Sequence, residues 1–279
     1  MTDFLDQMAA SSRRRAQTLK ARHDGEELYS RAKSTSAPPL LELSDRGFDL
    51  IAEIKLTSPS EGIFEAGRHD ISSRARIYSD AGACAVSVLT EPERFGGHLD
   101  HLATVVAEIS PLGVPVLAKD FMTDPCQVCE ARIAGAGGIL LIVRMLADDV
   151  AREILRLSLE LGMFVLVEAF DGEDLDRAGS LLDELEPGAG KVLVGLNTRD
   201  LQSLAVDSER LARLVDDFPG GFPRVAESGM RDAHDAARVA GLGYSMALVG
   251  TALMKAAEPG DRVSEMLEAG RKQSAGIGA

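Results

Sequence analysis

A glutamate and a lysine stand two residues apart in the apolar run Ile51-Ala52-Glu53-Ile54-Lys55, which breaks at Leu56-Thr57-Ser58-Pro59-Ser60. In a strand, residues i and i+2 share a face, so the carboxylate and the ammonium would lie side by side. Unpaired charge is costly to bury, and core strands normally exclude it. A strand that keeps both charges and ends in Ser-Pro-Ser reads as one edge of an active site, suited to moving protons and holding an anion. The plainer reading is an edge strand with one solvated face. The pattern recurs, however. Lys119 closes one apolar run and is followed by Asp120-Phe121. Phe164-Val165-Leu166-Val167 ends in Glu168, and another run ends in Asn197 with Arg199 just beyond. Arg224-Val225-Ala226 leads into Glu227-Ser228-Gly229, and Val249 into Gly250-Thr251. One such residue could belong to a solvated loop, but repetition across separate strands is harder to dismiss.

The elements that must position these groups follow from periodicity. Short apolar runs at Asp49–Lys55, Ala83–Leu89, Pro115–Lys119, Gly138–Val143, Phe164–Glu168, Val192–Asn197, Arg224–Ala226 and Met246–Gly250 read as strands. Between them, Ile71–Ala81, His98–Ile109, Pro125–Ala134, Asp148–Leu161, Gly172–Leu185, Ser208–Asp217 and Asp232–Ala240 carry apolar residues at three- and four-residue spacing, as helices do. Asp124-Pro125 has the form of an N-cap with proline at the first helical position. Gly82, Gly135, Gly162 and Gly241 fall where left-handed C-caps belong. Strand–helix alternation implies a parallel sheet, and eight units predict a closed (β/α)8 TIM barrel. The competing topology, a doubly wound sheet, usually has a Gly-rich first turn, and here that turn is Ser-Pro-Ser-Glu-Gly. Residues 1–47 are expected to form an N-terminal helical extension and linker packed on the barrel, with 1–279 one domain. Its basic cluster, Arg13-Arg14-Arg15, reads as a solvated helix face.

In such a barrel the chemistry lies at the C-terminal strand ends. Ser228-Gly229 and Gly250-Thr251 follow the last two strands, where barrels often bind phosphate through backbone N–H groups. The net charge of −14 over 279 residues disfavours nucleic acid and anionic membrane surfaces as partners. An anionic substrate must then be attracted locally, by inward-facing Lys or Arg. Three cysteines provide no disulfide framework, and the N-terminus has acids where a secretory signal needs bases. A cytoplasmic protein is expected. Cys126 and Cys129 form a Cys-x-x-Cys that reads as helix-face packing, with no second pair for a metal. The five histidines show no ligand spacing on one helix, so no metal or cofactor is expected.

Taken together, the motifs resemble the indole-3-glycerol phosphate synthase family. The matching stretches are Ile51–Lys55 with Ser58-Pro59-Ser60, Val86–Thr90 with Phe95-Gly96-Gly97, Pro115–Phe121, Gly135–Val143, Leu166–Glu168, Asn197–Leu201, Ala226–Gly229 and Leu248–Gly250 with Leu253-Met254. Lys-Asp-Phe and Asn-x-Arg-Asp-Leu are the most specific of them. The resemblance implies closure of the indole ring of 1-(2-carboxyphenylamino)-1-deoxyribulose 5-phosphate, with loss of carbon dioxide and water. It implies Glu53, Lys55, Lys119, Glu168, Asn197 and Glu227 as the catalytic set, with Lys119 meeting the substrate carbonyl and Lys55 helping. Ser58, Phe95, Phe121, Leu140 and Arg199 would bind the rest of the substrate, and Lys55, Ser228, Gly229, Gly250 and Thr251 its phosphate. The expected partner is a small phosphorylated molecule, the expected state a monomer or weak homodimer.

Departures from the family leave other readings open. Leu56 stands where a second basic residue is usual, Glu61 where Lys or a small residue is common, and Ala169-Phe170 where Val-His often follows the glutamate. The segment from about Gly179 to Lys191 is longer than usual. A paralogue closing a modified indole-type ring in a specialised pathway would fit these changes. A non-catalytic phosphate-binding barrel fits less well, because it has no need of costly buried charges.

Overall fold

The computed structural model describes residues 4–59, 61–64, 70–183, 185, 191–200 and 203–276. Ser60, Leu201 and most of the tip of the 179–191 segment lie outside that set. The eight predicted strands are present as β1 (Asp49–Ile54), β2 (Ala85–Leu89), β3 (Val116–Lys119), β4 (Gly138–Ile142), β5 (Phe164–Ala169), β6 (Val192–Asn197), β7 (Arg224–Glu227) and β8 (Met246–Val249). Each pairs in parallel with the next, and β1 pairs with both β2 and β8, so the sheet closes. The (β/α)8 expectation is borne out, and the edge-strand reading of β1 is not. All six β1 residues are buried. Strand ends differ from the apolar runs by a residue or two, the usual imprecision of element boundaries.

Two apolar layers hold the barrel. Ile51, Leu117, Leu166, Leu193, Val225 and Met246 fill its interior. Leu50, Ala52, Val86, Val165 and Val194 point outward against the helices. This is the period-two alternation of a strand buried on both faces. The helical layer comprises α1 (Phe4–Arg22), α2 (Gly25–Ser34), α3 (Ile71–Asp80), α4 (Leu99–Ile109), α5 (Pro125–Ile133), α6 (Asp148–Glu160), α7 (Gly172–Leu182), α8 (Ala233–Gly241) and α9 (Pro259–Ala275), with shorter helices between. No helix among the described residues is long and apolar enough to cross a membrane.

Local signals mostly act as read. Asp124 and Gln127 form a capping box at the start of α5. Two expectations need correction. Gly241 is the last residue of α8, and the left-handed turn falls on Gly243 (φ 92°), because the Gly-Leu-Gly sequence offers a second glycine further on. Ser208–Asp217 is not one helix but a four-residue helix, Arg210–Arg213, and a 3-10 turn at Val215–Asp217. Here Arg210 donates to the Asn197 carbonyl (2.9 Å) and Arg213 to Asp207 (2.6 Å), so side-chain bonds pin the segment to the end of β6. Such bonds compete with a continuous helix.

The N-terminal helices pack against α5, and α1 reaches the barrel mouth. Leu5 and Met8 join the interior cluster, and Phe4 meets Phe121 edge-on with ring centroids 6.0 Å apart. The basic cluster on α1 is not merely a solvated face. Arg15 grips Asp120 with two bonds of 2.7 and 2.9 Å, and Asp120 also accepts from Thr90 Oγ1 (3.0 Å) and the Phe121 N–H (2.7 Å). Arg14, exposed, pairs with Glu93. Breaking a buried ion pair typically costs about 3–5 kcal/mol. Arg15 keeps 31% of its side chain exposed, so Arg15→Met should cost less, about 2–3 kcal/mol. The measurement is the urea midpoint, and an unchanged midpoint would show that the pair contributes nothing to holding α1. At the other end of the chain, α9 is tied to the start of β1. Arg271 donates to the Phe48 carbonyl and to Asp49, each at 3.0 Å.

Candidate active site

A cavity of about 1020 Å³ opens at the C-terminal ends of the strands. Every residue that the sequence nominates lines it: Glu53, Lys55, Ser58, Phe95, Lys119, Phe121, Leu140, Glu168, Asn197, Arg199, Glu227, Ser228, Gly229, Gly250 and Thr251. Strand alternation explains the convergence. Glu53, Lys55, Lys119, Glu168 and Glu227 each lie at, or within one residue of, the C-terminal end of a strand. The volume is at the upper end of the range for small-molecule sites.

The floor carries the charge. Lys119 Nζ lies 3.4 Å from Glu168 Oε2 and 3.4 Å from Glu227 Oε2. Lys55 Nζ pairs with Glu53 Oε1 at 2.9 Å, side by side as the two-residue spacing requires. Asn197 Nδ2 donates to Glu168 Oε2 at 3.2 Å. The Asn197 Oδ1 accepts from Ser228 Oγ at 2.8 Å and from the Arg199 N–H at 3.0 Å, which fixes which way the amide faces. Burial works against the Lys119 ammonium, but Glu168, Glu227 and Glu53 outweigh it and raise its pKa. Burial also opposes the Glu53 carboxylate, and Lys55 and Lys119 hold its pKa below the ordinary value regardless. Glu227 goes the other way. Burial, then the neighbouring Glu168, lift its pKa well above the usual carboxylate range, and Lys119 only partly offsets them. Its Oε1 has no hydrogen-bond partner among the described residues. The site thus holds cationic Lys119 beside a glutamate that keeps its proton more readily than usual, two groups able to exchange protons with a bound molecule.

The walls differ in character. On one side Phe95 and Phe121 lie with centroids 6.0 Å apart, next to Leu140 and Phe4. On the other, Ser228 (φ 65°) and Gly229 (φ 76°) are consecutive left-handed residues after β7. Both line the cavity, and successive backbone N–H groups in a turn of this kind can form a concavity for an anion. Gly250 serves a second purpose that the sequence did not disclose. A Cβ there would lie 2.2 Å from Glu53 Oε1 and 3.0 Å from Lys55 Nζ, so the glycine leaves room for the ion pair. Arg199 is half-buried on the rim and donates to the Leu204 carbonyl at 3.0 Å.

Other lining residues escaped the sequence reading. Phe4 comes from α1, and its only signal is the apolar spacing Phe4, Leu5, Met8. Glu61 lies on the rim paired with Lys255, so the acid found where the family favours Lys or a small residue is neutralised. Leu56 is half-buried and not part of the cavity lining, so its missing charge removes no direct contact there. Phe170 is buried in the interior cluster with the Arg144 guanidinium 4.7 Å from its ring centre. Burial raises both thiols of Cys126 and Cys129 on α5, the former to about 12, which fits packing rather than redox chemistry. Among the described residues, Asp232, His234 and Asp235 could offer ligand atoms within 4.8 Å of one another. Both aspartates are already engaged, Asp232 accepting from the Asp235 N–H (3.0 Å) and Asp235 pairing with Arg231 (2.9 Å).

The sequence pattern of the family described as "Indole-3-glycerol phosphate synthase" matches residues 5–266, nearly the whole chain. The chain belongs to this family. An indole-3-glycerol phosphate synthase from Mycolicibacterium vanbaalenii is 40% identical over 251 residues, covering 89% of this chain and 88% of that protein. One from Salinibacter ruber is 35% identical over 275 residues, covering 98% of each. Among solved structures, 3-hexulose-6-phosphate synthase from Salmonella typhimurium superposes with a TM-score of 0.63 at 17% identity, covering 81% of this chain and all of that one. At that identity the likeness concerns the barrel alone. Membership in the synthase family bears out the resemblance carried by Lys119-Asp120-Phe121 and Asn197-Thr198-Arg199-Asp200-Leu201.

Proposed function

We infer that the chain is an indole-3-glycerol phosphate synthase, a carboxy-lyase of tryptophan biosynthesis. Its substrate would be 1-(2-carboxyphenylamino)-1-deoxyribulose 5-phosphate. The observation that carries this reading is Lys119 held 3.4 Å from each of two buried glutamates, in a cavity that Phe95, Phe121 and the Ser228-Gly229 turn also line. The ring carbon bearing the carboxylate attacks the substrate carbonyl carbon, and the carbonyl oxygen takes a proton. Loss of carbon dioxide from the ring carbon restores aromaticity. The new hydroxyl then leaves as water once protonated, and a base removes the proton from the carbon beside nitrogen.

Each step matches a residue type. Lys119, cationic and aimed into the cavity, protonates the carbonyl oxygen. Lys55 assists it and reaches toward the phosphate. Glu168 and Glu53 move the protons of dehydration. Asn197 and Glu227 orient Lys119, Glu168 and the substrate hydroxyls. Phe95, Phe121 and Leu140 sandwich the aromatic ring, and Arg199 meets its carboxylate. Ser58 lines the sugar. Ser228, Gly229, Gly250 and Thr251 receive the phosphate, so inorganic phosphate should compete with substrate, and sulfate in a crystal should occupy their convergence. Failure of phosphate to raise the apparent KM would count against that placement.

The scheme requires no cofactor or metal, because proton transfer and an amino-ketone substrate supply all the chemistry. A cytoplasmic monomer or weak homodimer fits the acidic surface, with no nucleic-acid or membrane partner. The chain has no tryptophan, so product indole fluorescence rises over a low background. Folded protein that gives no such signal at high substrate would move the assignment to a paralogue with a modified ring, or to a non-catalytic phosphate-binding barrel.

A further inference from the structure

Gly195 stands in the middle of β6, opposite Glu168 of β5 and Val225 of β7 in the strand register. Strand interiors normally avoid glycine, which packs nothing and costs conformational entropy. Gly195 is not among the residues with positive φ, so any residue could adopt its backbone. What it provides is space. A Cβ built there would lie 2.1 Å from Glu227 Oε1, 3.1 Å from Glu227 Cδ and 3.1 Å from Leu166 Cδ1. Glu227 pairs in register with Asn197, two residues further along β6, yet its carboxyl leans back into the gap over Gly195. The oxygen that fills the gap is the same Oε1 that lacks a hydrogen-bond partner and is shut away from solvent. The other oxygen is the one 3.4 Å from Lys119.

We propose that Gly195 is a positioning residue for the reaction: the missing side chain seats the Glu227 carboxyl deep in the barrel floor and thereby sets its approach to Lys119. The proposal rests on the indole synthase reading for its kinetic consequence, but the contact itself does not depend on it. With a methyl group at 195, the carboxyl must swing toward the mouth, away from Lys119 and into the space of the substrate hydroxyls. The buried oxygen would then meet water or substrate.

Gly195→Ala should lower kcat at least about tenfold, with KM changed less than about twofold, since the contact concerns the reacting groups rather than the phosphate or ring. Glu227→Asp shortens the side chain by one methylene and should recover part of that loss in the double variant, although alone it lowers kcat. A merely structural role for Gly195 would show no such rescue. Thermal melting reads the same contact without turnover. Gly195→Ala should lower the Tm, and in a Glu227→Ala background it should lower it little or not at all, because the clash is gone. Equal losses of Tm in both backgrounds, or wild-type kcat for Gly195→Ala, would overturn the proposal. If Gly195→Ala does not fold, the double variant decides: folding of Gly195→Ala/Glu227→Ala supports the contact, and its failure overturns it. Wild-type protein without indole production would instead sink the assigned reaction, leaving the melting comparison to stand or fall separately.

Discussion

Lys119→Met should leave a folded barrel whose turnover is down by at least about a hundredfold, the lower range for loss of a general acid. Methionine keeps much of the volume and removes the charge and the proton. The barrel should survive because Glu227, already inclined to hold its proton by burial and by Glu168, can stay neutral without its cation. Lys119→Arg should not restore the rate. A guanidinium keeps the charge, but its broad planar fork cannot take the place of the compact ammonium that stands 3.4 Å from each of two carboxylates. Indole fluorescence measures kcat and far-UV circular dichroism checks the fold. Near-normal turnover in folded Lys119→Met would remove this lysine from the chemistry.

Glu168→Gln should cost rate rather than affinity, by about a hundredfold or more in kcat with little change in KM. The amide keeps a partner for Asn197 and the volume of the side chain, so the loss reflects the missing charge and proton rather than packing. The pH profile should change as well. Glu168 is the second cause, after burial, of the raised Glu227 pKa, while Lys119 pulls it down. Without the Glu168 charge, the Glu227 pKa falls, and any limb of the profile that it governs moves to lower pH. Stability responds in the same sense. A carboxyl raised in the folded state favours folding fully below its unfolded pKa of about 4.3, and that contribution is lost as pH rises through the folded value. The window of loss should therefore narrow in Glu168→Gln, visible as a flatter Tm between acid and neutral pH. An unchanged profile and an unchanged Tm slope would mean that the two glutamates do not interact.

Much of this was readable before any coordinates. Period-two spacing put Glu53 and Lys55 on one face, and they form a 2.9 Å pair. Strand–helix alternation gave the barrel, and the barrel told which strand ends to inspect. Other features depend on contacts between distant parts of the chain, which local patterns cannot carry. Arg15 and Asp120 are 105 residues apart, and nothing around Arg15 distinguishes it from a solvated helix face. Glu61 and Lys255 are 194 apart. The roles of Gly195 and Gly250 lie in the volume that they leave to carboxylates from other strands, and a glycine in a sequence does not say who fills its space. The segment after Ser208 has a helical pattern, but Arg210 and Arg213 spend their hydrogen bonds elsewhere.

The seam where β1 meets β8 has a consequence for how the chain is made. Asp49 on β1 and Arg271 on α9, which follows β8, pair across 222 residues. On the ribosome, β1 and β2 emerge and pair long before β8 exists, so β1 spends most of synthesis as an open edge with unpaired backbone groups. Such edges invite association between nascent chains. Closure of the ring also pays loop entropy over nearly the full length, which slows it. The helix carrying Arg271 must also leave the exit tunnel before it can bond to Asp49. The ring can therefore close only once β8 has emerged, and the Arg271–Asp49 pair can form only after that.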